Sequence, residues 1–364
     1  MLNTNEIQEL VSKHVHELSD WKKRIIPKRA LVVDSTKAGR QLGYIPKGIR
    51  TEAQTLVPHY NFMGVRTVFD PSPILVDGEN FYREVKGYGQ DGKHLFPLRH
   101  SEGDLNFGMY FVNAASEYFL LKQVMDSQEI RTQKPLSLLE FPKEEFEKQL
   151  ILGLVSLATN GQAKPEDASL IFGIYEKEGL EEVTSLLEEL TGGDLKYEKK
   201  EFPYIIKEKA GYLVRASRCP FRIVYYDTKI PKDRLEQAVF EGGKSYAALI
   251  HLGLIHKYPN LRNITLAGEL ADFEDATPIT DHDSLRRDWY FVGANCLKPG
   301  AVRTFHSFLS LLLSKQSFQA HIGPDFTQAF LEGTGLGRTP EQVAESIIEI
   351  HKESLQPLLE DRFG

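Results

Sequence analysis

The sequence predicts an α+β fold of two lobes, in which a β-rich N-terminal lobe precedes a mainly helical C-terminal lobe. The segment Ile74–Gly87 contains two β-rich runs joined by Asp77-Gly78, a dipeptide typical of a two-residue hairpin turn. Apolar residues recur at helical spacing over Asn113–Met125 and again over Lys232–Leu254. With 364 residues, 41% of them hydrophobic, the chain has enough apolar material for a two-lobed core.

The order of the predicted elements divides the chain into four regions. Residues 1–30 are expected to form a helical N-terminal extension, because the apolar residues of its first part fall on one face of an amphipathic helix. Residues 31–135 are expected to form the N-terminal lobe, residues 136–330 the C-terminal lobe, and residues 331–364 a C-terminal helix. Within this last region, a linker from Gly333 is expected to precede the start of the helix at Thr339-Pro340-Glu341. Within the C-terminal lobe the sequence predicts helices over Glu144–Thr159, Pro165–Leu190 and Phe305–Leu313 and a β-rich stretch over Tyr197–Tyr226.

An asparagine and an aspartate, Asn263 and Asp272, lie nine residues apart across a predicted hairpin that follows the helix over Lys232–Leu254. In protein kinases, a catalytic-loop asparagine and the aspartate of a following Asp-Phe-Gly hold magnesium on the nucleotide phosphates. Magnesium takes a few rigid protein oxygens and leaves its other positions to phosphate and water. The pair therefore predicts a kinase-type magnesium site, and the alternative is that the two side chains only cap turns.

A strand-end lysine, Lys86, and a helix glutamate, Glu117, come earlier in the chain. Protein kinases keep a strand lysine on the α- and β-phosphates and pair it with a helix glutamate. Such a lysine is better oriented for phosphate, because the ion pair removes much of its side-chain freedom. Each charge taken singly is also typical of a solvated surface. The order strand lysine, helix glutamate, loop asparagine and aspartate predicts a protein-kinase-like two-lobed fold.

Two arginines, Arg215 and Arg222, lie seven residues apart around a turn that contains a proline, with Arg218 between them. Arginine offers a planar fork of donors that fits phosphate and carries its charge at every accessible pH. A pair that converges on one site would bind a polyphosphate strongly. The alternative is that these residues are exposed charges at strand ends.

Four short blocks of the sequence match, in order, the motifs of one protein family. Val85–Gly89 resembles the family's Lys-Gly-Ala-Gly block, and Ser116–Phe119 resembles its Arg-Glu-Tyr-Leu helix. Arg215–Arg222 keeps the spacing of its Arg-x-Ala-Pro-Ser-x-x-Arg block, and His256–Phe273 resembles its His-Gly-x-x-Asn-x-Asp-Asn-Met-Ser-x-x-Gly-x-x-x-Asp-Tyr block. On these blocks the chain resembles a distant member of the selenoprotein O family, kinase-fold proteins that transfer AMP.

The resemblance implies that ATP is bound with Mg²⁺ in an inverted orientation and that AMP passes to a hydroxyl of a protein or a small molecule. It also implies a role for each matched position. Lys86 and Glu117 would form the ion pair at the nucleotide, and Asn263 and Asp272 would hold magnesium. Arg215 and Arg222 would bind the phosphates of the nucleotide.

One departure from the family's motif concerns the proton acceptor. The family has an aspartate immediately before the metal-binding asparagine, and this sequence has Arg262 there. A cation cannot accept a proton, so a water molecule or a residue from another loop would serve as the base, or activity is reduced. The catalytic base therefore stays unassigned.

Composition and charge exclude several other classes. The net charge of −7, from 44 basic and 51 acidic residues, argues against a nucleic-acid partner, since binding to a phosphate backbone needs a basic surface. Two cysteines, Cys219 and Cys296, form neither a disulfide framework nor a zinc ligand set, which favours a cytoplasmic protein. No apolar run approaches the length of a membrane span.

The sequence thus favours an adenylyltransferase and leaves two alternatives open. A kinase of the same fold would pass the γ-phosphate to an acceptor, which remains a protein or small molecule of unknown identity. A pseudokinase would bind nucleotide or a partner as a scaffold, and Arg262 at the expected base position favours that reading.

Overall fold

The structure is a computed structural model that describes part of the chain in detail. The described residues are 1–17, 31–42, 57–58, 67–87, 111–127, 129–141, 143, 147, 151, 155, 165–190, 209–223, 230–256, 261, 263–274, 276–278, 326–338 and 340–351.

The described chain contains both helices and strands, and the strand pairs β1–β6, β2–β3, β3–β5, β4–β5 and β8–β9 are antiparallel. This mixture of helix and antiparallel sheet confirms the α+β prediction. The helices are α1 (Thr4–Glu17), α2 (Lys37–Leu42), α3 (Phe111–Val124), α4 (Pro165–Glu178), α5 (Leu180–Leu190), α6 (Lys232–His251), α7 (Thr327–Thr334) and α8 (Pro340–Ile350). The strands are β1 (Leu31–Ser35), β2 (Val57–Pro58), β3 (Thr67–Phe69), β4 (Ile74–Val76), β5 (Glu79–Lys86), β6 (Lys134–Phe141), β7 (Ala210–Ser217), β8 (Leu254–Ile255) and β9 (Thr277–Pro278).

The chain divides into two compact units, each built from more than one segment. The first, here called the hairpin unit, comprises Met1–Leu10, Phe119–Lys134 and Ser217–Gly364. The second, here called the sheet unit, comprises Val11–Tyr118 and Pro135–Ala216.

The sheet unit is organised around a sheet in which the described residues contribute seven strands, in the order β1-β6-β7-β5-β3-β2, with β4 paired to β5. The β4–β5 hairpin turns at Asp77 and Gly78, whose φ angles are 53° and 83°. Two consecutive residues with positive φ are what a type I′ turn requires, so the predicted hairpin is confirmed. Strand β7 is buried along its whole length, as expected for an interior strand.

The hairpin unit has the long helix α6 at its centre, packed against α7 through glycines. A Cβ added to Gly243 on α6 would lie 2.3 Å from the carbonyl oxygen of Phe330, and one added to Gly333 on α7 would lie 2.1 Å from that of Phe240. The two backbones therefore approach more closely than any side chain allows. Helix α7 itself has no counterpart in the sequence predictions, which placed a linker from Gly333 onward.

Replacing Gly243 by alanine is expected to lower the free energy of unfolding by about 1–3 kcal/mol, because the new methyl group overlaps the backbone of α7. Thermal and urea unfolding followed by circular dichroism measure the change. The matched control is Gly173→Ala on α4, where an added Cβ meets nothing within 4 Å. There alanine is expected to stabilise the helix by up to about 1 kcal/mol. Equal effects at the two positions would contradict the close packing of α6 on α7.

The other predicted elements have mixed outcomes. The region Pro165–Leu190 forms two helices, α4 and α5, separated at Gly179, whose φ is 89°. The C-terminal helix begins at Pro340, as predicted. The apolar helix predicted over Phe305–Leu313 lies outside the described residues, as do Arg262 and Cys296. Among the residues that are described, none belongs to a helix long and apolar enough to cross a membrane.

Candidate functional site

Four buried charged side chains form one cluster in the sheet unit. The ammonium of Lys86 donates to Oε2 of Glu117 at 2.7 Å, which is the ion pair expected from the sequence. Arg215 donates from Nη1 to Oε1 of the same glutamate at 2.5 Å and from Nε to Oε2 of Glu84 at 2.9 Å. Glu117 therefore holds two cations, one on each carboxylate oxygen, and the cluster contains two positive and two negative groups.

The cluster follows from the positions of two neighbouring strands and one helix. Glu84 and Lys86 are two residues apart on β5, so their side chains leave the strand on the same face. Arg215 lies on β7, which is the next strand in the sheet. Helix α3 supplies Glu117, and the start of α3 is tied to the start of β7 by a hydrogen bond from the Phe111 amide to the Lys209 carbonyl at 2.8 Å.

Arg215 occupies a different environment from the one that a phosphate ligand usually has. Arg215 is 1% exposed, and its Nε and Nη1 nitrogens are paired with the carboxylates of Glu84 and Glu117. A buried arginine paired in this way is held by strong charge-assisted hydrogen bonds. These contacts use two of the five N–H donors of the guanidinium for the fold, and the predicted role of Arg215 as a phosphate ligand stays a prediction.

The residue next to Glu117 adds no charge to this cluster. Burial, and then the nearby carboxylate of Asp34, raise the pKa of Tyr118 well above its ordinary value. Its phenol is therefore neutral throughout the range in which the protein would be assayed.

The predicted hairpin with Asn263 and Asp272 is present in the hairpin unit. The Thr265 amide donates to the Glu269 carbonyl at 3.0 Å, and the Ala271 amide donates to the Asn263 carbonyl at 2.9 Å. Gly268 lies in the turn with a φ of 73°, a conformation that favours glycine. The ladder places Asn263 opposite Ala271, so Asp272 follows directly on the partner strand.

One histidine, His256, contacts the residues immediately before and after Asp272. His256 donates from Nε2 to the carbonyl oxygen of Ala271 at 2.9 Å, and its ring contacts that of Phe273 edge to face at a centroid distance of 4.9 Å. Between these contacts Asp272 has a φ of 68°, a left-handed conformation that is uncommon outside glycine. Such strain persists only where the surroundings enforce it, and it concentrates at functional sites.

Arg222 lies on a short segment that pairs with the same hairpin. It forms an antiparallel bridge with Thr265, and the flanking hydrogen bonds join Ile223 to Ile264 at 3.0 Å and Leu266 to Phe221 at 3.0 Å. This arrangement brings the guanidinium-bearing segment beside the strand that begins with Asn263. Three of the six predicted site residues, Arg222, Asn263 and Asp272, thus gather around one hairpin.

One nitrogen of the Arg222 guanidinium, Nη1, is buried without a hydrogen-bond partner among the residues that the structure describes. The residue is 8% exposed, and within the described ranges its Nη1 has no hydrogen-bond partner. Buried polar groups in proteins are nearly always hydrogen-bonded, and burying an unpaired charge is costly. A buried guanidinium of this kind is suited to binding an anion.

A buried carboxylate that the sequence reasoning missed, Glu269, joins the arginine segment to the hairpin. It accepts hydrogen bonds from the hydroxyl of Ser217 at 2.7 Å and from the amide of Arg218 at 2.9 Å. It also accepts from the hydroxyl of Thr265 at 3.3 Å. The only sequence signal for it is an acidic residue directly after the turn glycine of the hairpin, which is equally typical of a surface turn.

Comparisons with known proteins do not assign a family. No family model and no curated protein matches the chain. Among solved structures, the chain is similar to a Toxoplasma gondii rhoptry antigen kinase domain, with 11% sequence identity over 96% of this chain and 93% of that chain and a TM-score of 0.30. A TM-score this low carries no argument about fold or activity. The selenoprotein O resemblance therefore depends on the sequence blocks alone.

Proposed function

We propose that this protein is an ATP-dependent transferase of kinase-like fold, which moves AMP from ATP to a hydroxyl of a protein or a small molecule. The observation that carries the proposal is the buried Arg222 guanidinium beside the hairpin of Asn263 and Asp272. A phosphate group would supply the acceptors that Nη1 lacks among the described residues, and an arginine fork matches two phosphate oxygens at once.

The side chains of Asn263 and Asp272 suit a magnesium ion. They offer an amide oxygen and a carboxylate oxygen, which are hard ligands of the kind that Mg²⁺ prefers. When held by these two side chains, Mg²⁺ would neutralise part of the charge of the nucleotide phosphates. The left-handed backbone of Asp272, enforced by the contacts of His256 with both neighbouring residues, supports a positioning role for this carboxylate.

Lys86 is proposed to contact the nucleotide phosphates as well. Glu117 fixes its ammonium at 2.7 Å, and Arg215 in turn fixes the carboxylate of Glu117. A lysine restrained in this way loses little further freedom when phosphate binds, so the ion pair supports a preorganised phosphate contact. Together with the hairpin, it supports the kinase-like lobes predicted at residues 31–135 and 136–330, which stay a proposal.

In the proposed reaction the acceptor hydroxyl oxygen attacks the α-phosphorus. The bond from that phosphorus to the bridging oxygen breaks, and pyrophosphate leaves with the electron pair. Arg222 and Lys86 would stabilise the charge that develops on the phosphates, which is positioning and electrostatics rather than covalent catalysis. The hydroxyl proton passes to a base that is not assigned, because the matched position holds Arg262, a cation that cannot accept a proton.

A kinase is the second candidate, since the same residues would serve attack on the γ-phosphorus with ADP as the leaving group. A nucleotide-binding pseudokinase is the third, and Arg262 in place of a base favours it. Neither the buried guanidinium of Arg222 nor the Lys86–Glu117 pair distinguishes among the three, because all of them bind nucleotide phosphates.

The experiment that separates the three is incubation of the protein with Mg²⁺ and ATP labelled at either the α- or the γ-phosphate. We expect the α-label to become acid-stable on protein and pyrophosphate to be released, with both signals lost in Lys86→Met and Asp272→Ala. These losses are expected because one variant removes a phosphate contact and the other a metal ligand. Transfer of the γ-label with release of ADP would instead establish a kinase.

Two control variants and a folding measurement show whether a loss of label transfer results from unfolding. Lys244→Met and Asp233→Ala change the same residue types at exposed positions on α6, and both are expected to keep full label transfer. Circular dichroism confirms that each variant is folded at the assay temperature. ATP binding without transfer of either label would support the scaffold, and absence of ATP binding by the unaltered protein would overturn all three functions.

A further inference from the structure

Glu269 is a fully buried carboxylate surrounded by donors from two different segments. Its side chain is 0% exposed, and its two oxygens accept from the Ser217 hydroxyl, from the Arg218 amide and guanidinium, from the Cys219 amide at 3.4 Å and from the Thr265 hydroxyl. An ionised carboxylate has about four lone-pair sites and no donor of its own. The donors around Glu269 therefore suit a side chain that accepts hydrogen bonds at both of its terminal atoms, as a carboxylate does.

These donors lie on the two segments that must be in register for Arg222 to face the hairpin. Ser217, Arg218 and Cys219 form the turn that leads into Arg222, and Thr265 is the hairpin residue that forms the bridge with Arg222. Glu269 thus connects the turn before the arginine to the strand opposite the arginine. The Glu269 amide also donates to the Thr265 hydroxyl at 3.1 Å, which fixes the acid within its own turn.

We propose that Glu269 is a positioning residue that holds Arg222 in place for a nucleotide phosphate. This inference rests on the proposed function, because it needs Arg222 to bind phosphate. Glu269 lies on the hairpin and acts on Arg222 through the turn residues and through Thr265. Its removal weakens the contact with phosphate and leaves recognition of the nucleoside unchanged.

Glutamine at this position is the informative substitution. Its amide group keeps the size of the side chain, but whichever oxygen the NH₂ group replaces, it would face the amide hydrogen of Arg218, which donates to both carboxylate oxygens in the native protein. Two donors cannot satisfy each other, so the turn must shift. A shift of the turn carries the backbone of Arg222 with it.

The test is a double-mutant cycle of Glu269→Gln and Arg222→Gln, with dissociation constants for MgATP and for adenosine measured by calorimetry. We expect Glu269→Gln to raise the Kd for MgATP about tenfold, which corresponds to about 1.4 kcal/mol, and to leave the Kd for adenosine unchanged. In a protein that already carries Arg222→Gln, Glu269→Gln should raise the Kd for MgATP by less than about twofold, because the residue through which Glu269 acts is already absent.

The outcomes distinguish this inference from the function on which it rests. Equal losses for MgATP and adenosine, or losses that add in the double variant, would overturn the positioning role while leaving ATP binding intact. Failure of the unaltered protein to bind MgATP would overturn both.

The matched control is Glu236→Gln, which changes a partly exposed carboxylate on α6 and should bind MgATP normally. If Glu269→Gln does not fold, Ser217→Ala replaces it in the cycle, since it removes one donor at 2.7 Å from the same carboxylate.

Discussion

Replacing Glu117 by alanine is expected to lower the free energy of unfolding by about 3–5 kcal/mol, the cost typical of removing one partner from a buried ion pair. The structure gives the reason: this one carboxylate accepts from both Lys86 and Arg215, and all three side chains are buried. Without it, Lys86 loses the partner at 2.7 Å, and Arg215 loses one of the two carboxylates to which it donates, the other being Glu84. Urea unfolding monitored by circular dichroism measures the loss.

A surface ion pair in the same unit provides the control for this prediction. Glu140 on β6 pairs with Lys209 at 2.7 Å, the same distance as in the buried pair, but the lysine side chain is 60% exposed. Because exposed ion pairs contribute about 1 kcal/mol or less to stability, Glu140→Ala should lower the free energy of unfolding only slightly. A loss in Glu117→Ala no larger than that in Glu140→Ala would show that burial of the cluster does not determine its strength.

A second variant of Glu117 tests how the cluster bears on nucleotide binding. Glu117→Gln keeps the shape of the side chain and an acceptor oxygen, so we expect an intermediate loss of stability. Lys86 would then face an uncharged group and be free to adopt other rotamers. If the ion pair orients Lys86 for phosphate, MgATP binding should weaken in Glu117→Gln even at temperatures where the variant is fully folded.

The features that sequence reasoning predicted correctly are those with a local signature. Asp77-Gly78 predicts its hairpin because few residues other than glycine, asparagine and aspartate adopt positive φ. The helices at Pro165, Lys232 and Pro340 carry apolar residues at helical spacing over several turns. The pairing of Lys86 with Glu117 was predicted from their order in the chain and from the family's motifs, and the structure places their charges 2.7 Å apart.

The features that were missed depend on contacts between distant segments. Nothing in the sequence around Arg215 indicates that Glu84 lies on the neighbouring strand, since the two residues are 131 positions apart. Glu269 looks like a surface turn acid, and only the fold brings Ser217 to it across 52 positions. Periodicity reports which face of an element is apolar, and it carries no information about a polar side chain that is buried because another segment satisfies it.

Replacing Arg222 by methionine is expected to change stability and binding in opposite directions. Methionine fills a similar volume without the buried charge, whose Nη1 has no partner in the part of the chain that the structure describes. We therefore expect the free energy of unfolding to rise by about 1–3 kcal/mol, the usual cost of an unsatisfied buried group. Binding of MgATP should weaken about 10- to 100-fold, because a charge-assisted contact with phosphate is lost.

Arg215→Met is the matched control, and its effect on stability should have the opposite sign. Arg215 is also buried, but it donates to two carboxylates, so its loss leaves Glu84 and Glu117 with less compensation and the protein less stable. Urea unfolding and calorimetric titration with MgATP measure both variants. If Arg222→Met destabilises the protein as Arg215→Met does, then Arg222 serves the fold rather than a phosphate. A gain in stability together with a loss of affinity is the result expected of a residue kept for binding at the expense of the fold.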